Sequence, residues 1–212
     1  MSSARWWKRY SLRHREKNNT LQVDEFRILG IDPGSIMCGY GLIKTVNSQQ
    51  LIINSQKTGI STNLQDNRTD CVYVASGRIT LSQKSPLYLR LKNLYDSLLD
   101  IIRIYKPHEM AVEHIFFAKN IKSALSLGQA RGIALLAAAS EGLNIYEYSA
   151  LEVKKAVTGY GRAEKSQVQA MVMRILSLKS QITNLTGDSA DALALALCHM
   201  NTLKFKEAIA RR

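Results

Sequence analysis

No apolar run in this 212-residue chain approaches the ~20 residues needed to cross a bilayer; none is longer than that at residues 133–139. No apolar core follows the basic N-terminus either, which argues against a secretory signal and for an intracellular chain. Cysteine is scarce. Cys38, Cys71 and Cys198 are odd in number and lack metal-finger spacing, which argues against a disulfide framework or a structural zinc and leaves them as packing residues. Also missing are an internal repeat and any long amphipathic helix with a basic face and a bulky apolar underside, so a membrane surface is not the expected partner. Acidic residues are in deficit: 17 Asp and Glu stand against 29 Lys and Arg, a net charge of +12. Such a surplus attracts polyanions in a salt-dependent way, and nucleic acid is the expected partner, with charge kept for solubility as the bland alternative.

What is present is the balance of a globular protein with a core, 46% hydrophobic residues and 22% charged. Residues 1–26 stand apart from it. Arg5, Lys8, Arg9, Arg13, Arg15 and Lys17 follow little apolar periodicity, which reads as a flexible basic arm. The arm fits a nonspecific grip on DNA backbone, a dispensable tail or, since no acid precedes Glu16, an organelle transit peptide; the sequence does not choose. Residues 27–203 read as one mixed α/β domain, and 204–212 as a second basic tail.

Within the domain, residues 27–31 and 39–44 read as paired strands around the turn Asp32-Pro33-Gly34-Ser35, with 51–57 as a third strand and 63–76 as a polar loop. Leu87, Leu91, Leu94 and Leu98 recur at helical spacing over 87–105, and Pro107 stops that helix. A short buried strand at 110–112, a long helix at 121–141 and a last strand at 144–148 follow. Ser149 and Glu152 have the spacing of a capping box for a short helix, and 164–178 and 188–203 complete the helices. The order predicts a five-stranded mixed sheet flanked by helices.

Four carboxylates stand out on that sketch. Asp32 ends one apolar strand, Glu113 ends another, and Asp188 and Asp191 share a face of the last helix, near the end where the macrodipole favours negative charge. A charge beside apolar segments is costly to desolvate unless a cation compensates it, and neighbouring strand ends of an α/β sheet open onto one crevice. Each acid alone is more commonly an N-cap or a solvated surface group. The four together predict a cage for two magnesium ions about 4 Å apart, one activating water and one stabilising the leaving oxygen in hydrolysis of DNA or RNA.

Ile28-Leu29-Gly30-Ile31-Asp32-Pro33-Gly34-Ser35, then Ala111-Val112-Glu113, then Phe116-Phe117-Ala118-Lys119-Asn120 resemble the RuvC family of Holliday-junction resolvases. Ser123-Ala124-Leu125, Leu127-Gly128-Gln129-Ala130-Arg131-Gly132, Ala163-Glu164-Lys165-Ser166-Gln167-Val168 and Asp188-Ser189-Ala190-Asp191-Ala192-Leu193-Ala194 are similar to later segments of that family in the same order. The resemblance spans residues 27 to about 201. It implies an RNase H-like fold and a cytoplasmic bacterial homodimer that makes paired symmetric nicks in four-way junction DNA. It also implies magnesium, with manganese able to substitute, and a branch-migration motor of RuvA and RuvB as partner.

Carried over residue by residue, the family's catalytic carboxylates and metal ligands fall on Asp32, Glu113, Asp188 and Asp191. Its basic contacts to the scissile strand fall on Lys154 and Lys165, and its base-stacking aromatic on Phe116, with Lys119 and Arg162 as lesser candidates for the same surface. Without the motif context the lysines would read as ordinary solvated charges, and one of Phe116 and Phe117 is expected in the core. His114 alternates to the sheet face opposite Glu113 and His199 lies well beyond Asp191, so neither is assigned a role. Gly128 and Gly132 fit either a dimer seam or packing on the chain's own sheet. The arm and the 63–76 loop depart from the family pattern. Three alternatives remain beside the resolvase: a related nuclease acting on structured RNA, an ATPase with an actin-like core, and a noncatalytic DNA-binding dimer, the last having no need of four convergent acids.

Overall fold

The computed structural model describes residues 25–45, 71–114, 121–178 and 185–210. In chain order these form β1 (Arg27–Asp32), β2 (Met37–Thr45), β3 (Cys71–Thr80), α1 (Leu87–Tyr105), β4 (Glu109–Glu113), α2 (Ile121–Ser140), β5 (Asn144–Tyr148), α3 (Ala150–Thr158), α4 (Lys165–Ile175) and α5 (Gly187–Ala210). The strands make one mixed sheet in the order β3-β2-β1-β4-β5. β1, β2 and β3 run as an antiparallel meander, and β4 and β5 add to β1 in parallel, with α2 as the crossover between them.

The two-residue period of the strands sorts the core into two layers. Leu29 and Ile31 of β1 and Met110 and Val112 of β4 meet Leu94, Leu98 and Ile102 of α1 and Ala134 and Ala138 of α2. Their neighbours Ile28 and Ala111, with Tyr148, face the other way, onto α5 and the α3–α4 pair. Asp32 and Glu113 belong by parity to this second face. The helix on it, α5, is buried without interruption from Ala192 to Met200, because the sheet covers one side and α3 and α4 the other.

Glycine makes that burial close. A Cβ on Gly30 would stand 1.9 Å from the Ala192 carbonyl oxygen, and one on Gly39 2.1 Å from that of Asp188. The backbone of α5 thus rests on β1 and β2 with no side chain between. Helix ends follow local chemistry. Lys106 takes the left-handed conformation after α1, its N–H bonds to the Ile102 carbonyl, and Pro107 prevents continuation. The expected capping box is formed: Ser149 Oγ accepts from the Glu152 N–H at 3.2 Å and Glu152 accepts from the Ser149 N–H at 2.7 Å.

A polar knot lies inside the α5 face. His199 of α5 bonds Tyr148 of β5 and Glu109 of β4, each at 2.6 Å, and the Tyr146 hydroxyl donates to Glu109 at 3.1 Å. The buried carboxylate and imidazole are each partnered, as such groups must be. His199 is therefore structural, in keeping with its omission from the site.

The third strand differs from the expectation. It is Cys71–Thr80, so the predicted 63–76 loop gives way to strand at Cys71, and the strand expected at 51–57 lies outside the described residues. The pattern was obscured because β3 is an edge strand, largely half-exposed on both faces, and is paired across an irregularity at Leu42/Ile43 that breaks alternation. The last helix also continues to Ala210, through most of the segment read as a tail. Cys38, Cys71 and Cys198 are buried, and none forms a disulfide. Among the described residues no helix is long and apolar enough to cross a membrane.

Candidate active site

β1 and β4 are parallel neighbours with Ile31 opposite Val112, so the next residues, Asp32 and Glu113, leave the sheet side by side on the α5 face. The glycine contact at Gly39 seats the first turn of α5, with Asp188, directly over the β2 residue that pairs with Asp32. Asp191, one turn on, faces the same crevice. Strand register and glycine packing thus gather acids that are remote in the chain.

Their electrostatics record the crowding. Burial, reinforced by the charges of Asp191, Glu113 and Asp188, pushes the Asp32 carboxyl up to about 7. Burial and then Asp191 raise that of Glu113, with Lys165 and Lys154 pulling the other way. Lys165, first residue of α4, bonds Asp191 at 3.2 Å, and the charge of Asp191 holds its ammonium protonated to higher pH. A capping box between Glu164 and Gln167 fixes the start of that helix and hence the place of Lys165.

Among the described residues no three acidic, imidazole or thiol groups are drawn tightly around one point as a closed metal cage would be. The donor set is nonetheless all carboxylate oxygen, which suits hard divalent ions such as magnesium or manganese and not zinc. A cation among these groups would also relieve the burden that lifts Asp32. The residues fit a hard divalent metal.

Of the predicted DNA contacts, Lys165 stands at the acids and Lys154 of α3 acts on Glu113 through its charge. Arg162 is exposed in the turn ahead of α4. Phe116 and Lys119 lie outside the described residues. Two residues given no role in the sequence reading also reach the site. Arg131 of α2 donates to the Glu113 carbonyl at 3.2 Å and pairs with Glu147, tying the end of β4 to helix and neighbouring strand. Arg78 of β3 stands 3.9 Å from Asp188. The only sequence signal for Arg131 was its place inside a family-like segment; Arg78 had none, since it sits just past the stretch read as loop.

The chain matches the family model described as crossover junction endodeoxyribonuclease RuvC over residues 53–199. It belongs to the RuvC family. The RuvC of Shewanella pealeana is 46% identical over 185 residues, 87% of this chain and 92% of that one. An alignment of that extent cannot leave out the first 32 residues, so it takes in Asp32, which lies ahead of the family-model match. The RuvC of Caldicellulosiruptor saccharolyticus is 40% identical over 82% of this chain and 92% of its own. Among solved structures, Thermus thermophilus RuvC in complex with Holliday junction substrate is similar at a TM-score of 0.70 and 27% identity, over 85% of this chain and 96% of that one. The yeast mitochondrial Holliday junction resolvase, 13% identical with a TM-score of 0.58, shares the fold. The five-stranded mixed sheet flanked by helices is thus the RuvC, RNase H-like architecture, as expected. The family match does not favour the ATPase or the RNA nuclease.

Proposed function

We propose that this RuvC-family chain is a magnesium-dependent endodeoxyribonuclease that resolves Holliday junctions by paired symmetric nicks, in recombination and DNA repair. The observation that carries the proposal is the convergence of Asp32, Glu113, Asp188 and Asp191 on one crevice of a basic protein. Similarity to a RuvC solved with junction substrate supports the choice of DNA. Asp32, Glu113, Asp188 and Asp191 would hold the metal, and manganese is expected to serve in its place. Bound there, it supplies activation of water and stabilisation of the leaving oxygen. Lys165 and Lys154 hold phosphate beside the acids and keep part of their charge offset before DNA arrives. Phe116 is assigned to stacking on a base at the crossover, and Lys119 and Arg162 to the surrounding backbone.

A homodimer is part of the proposal. On α2, Ile121 is 86% exposed, Leu125 63% and Leu136 54%, and Gly128 and Gly132 lie between them with open space where a Cβ would stand. The glycines therefore do not serve packing on the chain's own sheet. An apolar stripe cut to the backbone suits a second copy of the same helix. The bacterial family membership supports RuvA and RuvB as partners and the cytoplasm as workplace. The basic segments 1–26 and 204–212 flank the resolvase domain and add nonspecific attraction for DNA.

With magnesium the protein should cut synthetic four-way junctions far faster than linear duplex of the same sequence. Asp32→Asn or Glu113→Gln should abolish cutting while gel-shift binding of the junction survives. Equal cutting of linear and branched DNA would refute the assignment.

A further inference from the structure

Ion pairs reach the acids from two different elements. Lys165 comes from α4 to Asp191; Arg78 comes from β3 to Asp188, 3.9 Å away. β3 is the edge strand of the sheet, and Arg78 pairs across it with Gly39, the residue on which the Asp188 backbone rests. Cross-strand partners share a face, so the ladder itself holds Arg78 on the α5 side, at the mouth of the acid cluster. No loop movement is needed to bring it there.

An ion pair this long adds little to the stability of the fold, because both side chains are wet, 39% exposed for Arg78 and 32% for Asp188. Among the described residues the guanidinium has no partner apart from Asp188, and most of its N–H donors are unengaged by them. A rigidly based arginine with an open fork, beside carboxylates suited to metal, is matched in charge and shape to a phosphate diester. The site contacts expected from sequence, Phe116, Lys119, Lys154, Arg162 and Lys165, lie beyond β4 or on α3, α4 and the turn between them, and none lies on the β3 side.

We propose that Arg78 is a DNA-binding residue of this site, gripping a backbone phosphate on the β3 flank of the acids while Lys165 holds the strand from α4. The inference rests on the nuclease reading above. In the free protein the guanidinium leans on Asp188 and offsets part of the repulsion between acids and DNA. With DNA bound, its free N–H groups take the phosphate oxygens.

The test is junction binding by fluorescence anisotropy in chelator, so that cleavage does not intervene, over a salt series. Arg78→Gln should weaken binding about five- to tenfold and flatten the slope of log Kd against log salt by about one. Arg78→Lys should keep the slope, and thermal midpoints should stay unchanged in both variants. The loss should persist when Arg78→Gln is placed in an Asp188→Asn background. Disappearance of the loss in that background would show that the arginine only screens Asp188, and wild-type affinity for Arg78→Gln would equally overturn the proposal. Wild-type protein that binds linear duplex as well as a junction would instead count against the resolvase reading, leaving the Arg78 comparison to be made on the duplex.

Discussion

Asp32 is the residue whose environment departs furthest from what its type prefers. Its carboxyl releases a proton near 3.8 when exposed but is held up to about 7 in the fold, chiefly by burial and then by Asp191, Glu113 and Asp188. Between those values the folded chain binds the extra proton. The contribution of Asp32 to metal-free stability is therefore full below pH 3.8 and is lost as pH rises through 7, by a few kcal/mol. Melting in chelator should show the wild-type midpoint falling between about pH 4 and pH 7 and levelling off above, with a shallower fall in Asp32→Asn. At pH 8 added magnesium should raise the wild-type midpoint and leave that variant nearly unmoved. Identical profiles for the two proteins would mean that the fold does not raise the Asp32 carboxyl. The carboxylates were legible in the sequence because each sits at a strand end or on a single helical face. Arg78 and Arg131 were not, because each reaches its acid through partners far away in the chain, a relation that periodicity does not carry.

At the level of elements, the seat of α5 on β1 and β2 decides whether the acids meet. Gly30 and Gly39 allow it only because they lack a Cβ. Gly30→Ala should cost about 1–3 kcal/mol or more by urea unfolding, since the helix backbone cannot yield as a side chain would. Gly132→Ala, in open space on α2, should by contrast hold or gain up to about 1 kcal/mol in the monomer. Equal effects at the two sites would show that α5 does not lie where it is described. Two elements were read to the residue, 87–105 as α1 and 144–148 as β5, whereas the last helix runs seven residues past the expected 203 to Ala210. The miss at β3 has a physical origin, since its pairing with β2 shifts register at Leu42/Ile43 and leaves no continuous alternation to read. The glycines of β1 and β2 were visible as letters, yet what they admit is a helix from the far end of the chain.

For the whole molecule, the open stripe on α2 is the feature the monomer leaves unused. Leu125→Glu together with Leu136→Glu should shift sedimentation from dimer to monomer with little change in the urea midpoint, because both side chains already face solvent. Junction affinity should then fall by roughly tenfold or more as two linked sites become single ones. A pair of substitutions that left the dimer intact would move the seam elsewhere. Fold class and family were recoverable from sequence because the motifs run in order through the domain. The spacing of Gly128 and Gly132 left open which surface they serve, and only the outward direction of that helix face favours one answer.

The acids come from opposite ends of the described domain: Asp32 closes β1, whereas Asp188 and Asp191 open α5. A chain still emerging from the ribosome, or one truncated ahead of α5, holds only half of the carboxylates and has nothing to cover Gly30 and Gly39. On the nuclease reading, capacity to break DNA thus requires the domain to be formed through its last helix, and a chain cut between β5 and α5 should be inert on junctions.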